Sequence, residues 1–309
     1  MKLAPWPWPW RRRRILALKQ HSFASELVRL STEEHNISDI AAFAKNLRAL
    51  LGPSRATPVA LSLPNQCAHI ALLNFDVLPE NPAECASLVR WRLEKDLQIP
   101  VVDCRIAYRI FVLPAEDTLS DFSKYRMLVA AIQTNVLTQY EQVCELAELV
   151  PVDVGIQALQ LFDLSQAMID QDDEWFFVSF LEDYFFFVAM RHGCPFLMRS
   201  KPLPSAPAQR QRELLASIQY YDELRASMGA KPQASQRSLF ILGSDYTLSA
   251  EHITPTNEGS PPLALEVALT DSHRINVRSI TKDFFPISWP ASDIHWTSGL
   301  SAMAALSTP

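Results

Sequence analysis

Seven glycines in 309 residues restrict the phosphate chemistry open to this chain, because a backbone that wraps a phosphate needs positive φ and no Cβ in the way. Ordinary usage would supply about 22. They stand singly at Gly52, Gly155, Gly193, Gly229, Gly243, Gly259 and Gly299, so neither a GxGxxG nor a GxxxxGK[ST] loop can be assembled. The histidines (His21, His35, His69, His192, His252, His273 and His295) show no metal-ligand spacing. No G-x-S-x-G or comparable nucleophile context exists. The five cysteines are odd in number and lack a CxxC pair, which reads as buried free thiols of a reducing compartment. Glu182-Asp183 is an acidic pair with the chemistry to hold a cation, and equally the polar turn of a hairpin.

Few residues are left to do chemistry, so the elements carry the argument. Ile15 to Leu18 and Phe23 to Leu30 read as strands around a turn at Gln20-His21. Ser38 or Asp39 caps a helix with Ile40, Phe43, Leu47 and Leu50 at helical spacing, and Gly52-Pro53 stops it. Val59 to Leu63 and His69 to Phe75 read as strands. A helix is expected over Pro82 to Gln98, with Val89, Leu93 and Leu97 on one stripe, Leu88 and Trp91 beside it, and Pro100 ending it. Strands follow near Cys104 to Val112 and Tyr125 to Ile132. Val136, Tyr140, Val143, Ala147 and Val150 then predict a helix capped by Thr134 or Asn135 and closed by Pro151.

The second half reads as a meander of Trp175 to Phe180, Tyr184 to Met190 and Pro195 to Ser200, with turns at Glu182-Asp183 and His192-Gly193. The aromatic stretch Trp175 to Phe187 is expected to be sheet core. Prolines from Pro202 to Pro207 make a stiff connector. A helix from Gln209 to Met228 turns Leu214, Ile218, Tyr221 and Met228 inward, with Gly229 after its end. Ser238 to Leu242 reads as a buried strand, and Ser298 to Leu306 as a final packed helix. Two βββ-then-α units indicate a duplicated α/β architecture.

Composition narrows the partners. The net charge is −6, yet the first fourteen residues carry Lys2 and Arg11 to Arg14 and no acid. The remaining body is therefore more acidic than the total, which argues against non-specific nucleic-acid binding. No apolar run reaches the roughly 18 residues of a membrane span, and no signal peptide is expected. The leader alternates Pro5, Pro7 and Pro9 with Trp6, Trp8 and Trp10, then Arg11, Arg12, Arg13 and Arg14. It reads as a disordered tail, as a peripheral lipid contact through indole and guanidinium groups, or as a docking peptide.

Several segments, in order over roughly residues 14–306, resemble PilM-type pilus-assembly proteins of the actin-like ATPase superfamily. Leu88 to Pro100 resembles that family's helix followed by (Y/L)-x-I-P. Met127 to Val154 resembles its strand–helix passage ending in P-x-x-V-D, here Pro151-Val152-Asp153. His192 to Arg199 resembles x-G-x-P-x-x-x-R, and Glu213 to Tyr221 its E-[IL]-x-R-S-[IL]-x-Y-Y helix. Leu239 to Gly243 is similar to the adenosine-side strand, and Gly299-Leu300 to the terminal G-L-A. The MshI protein and the cytoplasmic part of type II secretion L proteins are related.

The resemblance implies an actin-like (FtsA/PilM-like) two-domain duplicated α/β fold with a small inserted α+β subdomain. It divides the chain into a leader (1–14), a first domain (15–63 and 151–172), the insert (64–150) and a second domain (173–309). It also implies a cytoplasmic scaffold, peripheral to the inner membrane, that binds the tail of a PilN-like bitopic partner and meets pilus or secretion motor components. The expected peptide site lies near the insert and its junction with the first domain.

The phosphate turns depart from the family. Where it has D-[IL]-[GS], this chain has Lys19, Gln20 and His21. Where it has D-x-G, the chain has Ser179 and Leu181, with Glu182 and Asp183 displaced by one or two residues. Its G-G becomes Gly243-Ser244. Mg²⁺ needs hard anionic oxygen, so weak or absent ATP binding, no turnover and no cofactor are expected. The alternatives are an active actin-like ATPase or sugar-kinase-like enzyme, disfavoured by those losses, and a type II secretion L-like component.

Overall fold

The computed structural model describes residues 37, 39–51, 56–99, 101–114, 123–166, 169, 173–181, 184–202, 207–228, 237–242 and 275–280. The leader, the expected strands over 15–30, residues 203–206 of the connector, Gly229 and the expected helix over 298–306 lie outside them.

The chain enters through helix α1 (Ile40–Leu51), whose first turn is closed by Asp39: its Oδ1 accepts from Ala42 N at 2.8 Å. Strand β1 (Thr57–Leu63) follows. Instead of passing directly to its parallel neighbour β5 (Leu149–Ile156), the chain makes an excursion: β2 (Ala68–Phe75), helix α2 (Pro82–Leu97), β3 (Cys104–Val112), β4 (Tyr125–Gln133) and helix α3 (Thr134–Leu146). The excursion's strands form their own antiparallel sheet in the order β2-β4-β3. Ala44 and Leu47 of α1, Val143 and Cys144 of α3 and Leu149 share one buried cluster, which packs both helices beside β1 and β5.

Helix α2 starts as its residues dictate. Asn81 Oδ1 accepts from Ala83 N at 2.9 Å, and Pro82 supplies a first position that needs no donor. Gln98 at φ 54 ends it, two residues before the expected Pro100. The buried stripe is Cys85, Val89 and Leu93. Leu97 and Trp91 are 44% and 50% exposed, contrary to expectation. Steps of four residues overshoot a full turn by about 40° each, so the stripe has drifted off the sheet by Leu97. Trp91 is instead capped by Lys95, whose Nζ stands 4.4 Å from the ring centroid.

Helix α3 stops earlier than its apolar spacing predicts. Glu148 takes φ 57, and Val150 and Pro151 belong to β5 rather than to the helix and its closure. A proline is tolerated there because β5 pairs only with β1 among the described residues, and the register slips between Val59 and Ala60 beside it. The N-cap is Gln133 without a side-chain bond, rather than Thr134 or Asn135. Thr134 N donates to Asp103 O at 2.7 Å instead.

After β5, helix α4 (Gln157–Gln166) has seven buried residues in ten, so it shows no amphipathic stripe and is not apparent in the periodicity. Asn65 Oδ1 accepts from Ala158 N at 2.7 Å in its first turn. A Cβ at Gly155 would lie 2.2 Å from Nε2 of the Gln160 side chain, which would have to move and give up its 3.3 Å bond to Leu61 O.

The meander is as expected: β6 (Glu174–Leu181), β7 (Tyr184–Arg191) and β8 (Cys194–Pro202). His192 and Gly193, both at positive φ, make the two-residue turn between β7 and β8. Helix α5 (Pro207–Ser227) carries the chain across to β9 (Arg237–Leu242), which lies parallel to β6, and β10 (Ile275–Ile280) lies parallel to β9. The order is β10-β9-β6-β7-β8. Alternation along β6 sends Trp175 and Phe177 toward α4 and Phe176, Val178 and Phe180 toward Leu214, Ile218 and Tyr221 of α5. The aromatic stretch is therefore core on both faces. Strand β10 has only its end residues buried and gives no alternating signal.

Candidate partner-docking site

The three-stranded sheet is covered on one face by α2, through Cys85, Val89 and Leu93. Its strand β3 is an outer strand, with Ile110 and Val112 45% and 69% exposed. Among the described residues no strand pairs with the outer side of β3, and such an edge keeps main-chain donors and acceptors available to another extended chain. The loop that leads into β3 is held from inside. Arg90 donates through its two terminal nitrogens to Val101 O at 2.9 Å and Cys104 O at 3.0 Å.

At the start of β3 a cleft of about 590 Å³ opens against the first turns of α3. Asp103, Cys104, Gln133, Asn135, Thr138 and Gln142 are among its lining residues. The amide oxygen of Gln139, also in the lining, accepts from Ile37 N at 2.7 Å and so ties the segment before α1 to α3. Further along β3, Arg109 reaches Asp163 of α4 with a two-pronged contact at 2.8 and 2.7 Å. The arginine side chain is half exposed, so the pair sets orientation more than stability, at under about 1 kcal/mol.

Among the described lining residues Asp103 is the lone formal charge; the rest are amides, hydroxyls and a thiol. Burial pushes the Cys104 thiol up, partly offset by the nearby Arg90 charge. A protonated thiol is a poor nucleophile. Among the described residues no group of three His, Cys, Asp or Glu side chains converges. Paired donors and acceptors beside an open strand suit recognition of a peptide main chain, with alternate side chains seated in the cleft.

All five cysteines are buried thiols outside any disulfide. Burial, with the Glu141 charge second, raises Cys144 from its usual 9.0 to about 11. Its native form thus holds a proton that the unfolded chain releases above pH 9. We expect stability to be unaffected by this group below that pH and to fall as pH rises from 9 toward 11. Urea unfolding across that range checks the slope, and thiol labelling at pH 7 should proceed only with unfolding.

Of the positions read as a degenerate nucleotide site, Ser179 and Leu181 lie among the described residues. Ser179 sits inside β6, opposite Phe186 of β7 and Leu242 of β9, and is 2% exposed. Its alternation with Trp175 and Phe177 directs it toward α4. Leu181 is the last residue of β6. Lys19, Gln20, His21, Glu182, Asp183, Gly243 and Ser244 lie outside the described residues, as do Trp6, Trp8, Trp10 and Arg11 to Arg14. The cleft and the Arg109–Asp163 contact are absent from the sequence reading. Uncharged Gln, Asn and Thr at a helix start carry no pattern of their own.

A meander followed by two parallel strands and a helical crossover, with a second parallel pair interrupted by a small sheet, makes the mixed α/β architecture expected of an actin-like fold. A solved structure described as the PilM-PilN type IV pilus biogenesis complex is similar over 91% of this chain and 88% of that one, with a TM-score of 0.58 and 17% identity. The cytoplasmic domain of EpsL, an inner-membrane component of the type II secretion system of Vibrio cholerae, covers 90% and 87% at a TM-score of 0.42 and 12% identity. A Bacteroides thetaiotaomicron protein with an actin-like ATPase fold covers 66% and 68% at 0.36 and 11%. The fold assignment rests on the first of these. No family model and no curated protein matches the chain. Among the described residues, no helix is long and apolar enough to cross a membrane.

Proposed function

We propose that this chain is a scaffold of a type IV (MSHA-like) pilus or related secretion assembly platform, peripheral to the inner membrane. It holds the cytoplasmic tail of a PilN-like bitopic protein against β3 and the cleft at the start of α3. The supporting observation is the likeness, along 91% of the chain, to a protein solved in complex with PilN. The outer strand, with a polar cleft at its start that carries the single charge of Asp103 among the described residues, gives such a tail a surface of suitable chemistry. In this reading the three-stranded sheet with α2 is the inserted subdomain, flanked by two actin-like domains. The Trp/Arg leader contacts the membrane surface.

The nucleotide function is degenerate in the same proposal, since the two phosphate turns lack the family's aspartate and glycine. Calorimetric titration addresses both parts. The tail peptide of the PilN-like protein from the same organism is expected to bind saturably, and Thr138→Arg, which fills the cleft, to weaken it at least about tenfold. No binding by the unaltered protein would overturn the scaffold reading. ATP with Mg²⁺ is expected to give no saturable heat. Sub-millimolar, Mg-dependent affinity would instead favour an active ATPase and leave the peptide result to stand separately.

A further inference from the structure

The outer strand β8 of the five-stranded sheet carries a bulge. Ala189 faces Leu197 and Met190 faces Pro195, so Phe196 has no residue opposite. A bulge leaves its extra residue out of the ladder and bends the strand. The carbonyls released there are taken by a side chain from the other sheet. Arg126, in the middle strand β4 and 3% exposed, donates through one terminal nitrogen to Pro195 O at 2.9 Å and Phe196 O at 3.3 Å. Its Nε donates to the amide oxygen of Asn74 at 2.8 Å, the residue directly opposite on β2. The guanidinium lies 5.2 Å from the Phe196 ring centroid, and that ring packs edge-on against Tyr221 of α5.

Two further contacts run along the same seam. Cys194 Sγ approaches Val112 O at 3.6 Å at the end of β3. Ile70 of β2 and Met198 of β8 both pack on the core beneath the five-stranded sheet. A buried guanidinium is costly to desolvate, and a planar fork that satisfies three oxygens from two sheets is an arrangement that lysine cannot reproduce.

We propose that Arg126 is a positioning residue that interlocks the three-stranded sheet with the β8 bulge, so that the two sheets move as one body. Displacement of β3 or β4 by anything bound at their edge is then passed to the second half through β8 instead of being lost in a loose joint. The fork, the bulge and the stacked ring act together, and none of them depends on the identity of the partner.

Hydrogen exchange on the full chain tests this. In Arg126→Met, amides of β8 and β2 should lose protection at least about tenfold, while those of β6 and β9 keep theirs. Arg126→Lys, which keeps the charge without the fork, should behave like Met. If Met fails to fold, Asn74→Ala removes a single acceptor and should produce the same local pattern in smaller measure. Unchanged protection at β8, a loss spread evenly over all strands, or full rescue by lysine would each overturn the interlock.

Discussion

Replacing Glu174 by alanine is expected to cost about 3–5 kcal/mol of stability, the usual consequence of removing one partner from a buried charge group. Glu174 opens β6 with a side chain 3% exposed, and its two oxygens meet Arg225 at 3.0 Å and Arg191 at 3.3 Å. Those arginines are themselves only 11% and 13% exposed. Losing their shared carboxylate leaves two largely desolvated cations next to Tyr221, whose hydroxyl burial already holds firmly protonated. Glu174→Gln keeps the shape and one acceptor and should cost less. The surface pair Arg48–Glu148, with side chains 50% and 40% exposed, serves as the control and should change stability by under about 1 kcal/mol. Urea denaturation decides: the midpoint should drop at unchanged slope. A loss for Glu174→Ala no larger than the control's would show that the group is solvated in a way its burial denies.

Phe162→Ala is expected to cost a similar amount, about 3–5 kcal/mol, by loss of transfer energy plus an unfilled cavity. Phe162 is 2% exposed and is the aromatic residue by which α4 grips the five-stranded sheet. Its ring centroid lies 6.0 Å from Trp175, 5.5 Å from Phe177 and 6.3 Å from Phe186. Four rings share one buried layer, so the surroundings cannot collapse into the gap without breaking the alternation of β6 and β7. Phe162→Leu retains most of the volume and should recover more than half of the loss. Near-UV circular dichroism of the aromatic layer, read together with denaturation, checks the account. A full-sized spectral change without destabilisation would contradict it.

What the residues disclosed and what they hid differ for physical reasons. The meander, α5 and the start of α2 were readable because each depends on neighbours a few positions away. Trp175 to Met190 alternates into two cores, Leu214, Ile218 and Tyr221 recur on one helical stripe, and Asn81-Pro82 is a complete start signal. Helix α4 was not readable, because burial on nearly every side erases the contrast between faces. The end of α3 was misjudged because Val150 continued an apolar spacing past Glu148, whose left-handed backbone no periodicity announces, and belongs to β5; α2 ends within one residue of expectation, but Leu97 has turned off its buried stripe.

The candidate site divides in the same way. The shortage of glycine is a property of composition and bears on phosphate chemistry before any fold is known; the missing acids at Lys19 and Ser179 follow only from the resemblance to the family's phosphate turns. That Ser179 faces the aromatic layer, that β3 pairs on one side only among the described residues, and that Arg126 reaches the carbonyls of a bulge on another sheet follow from pairings among residues dozens of positions apart. The sequence alone thus determined the local elements and excluded the glycine-rich phosphate loops, because capping, alternation and residue type act over short range. Tertiary structure decided which strand lies open, which helix is buried and what binds the two sheets, because strand order and burial depend on partners that the chain meets only on folding.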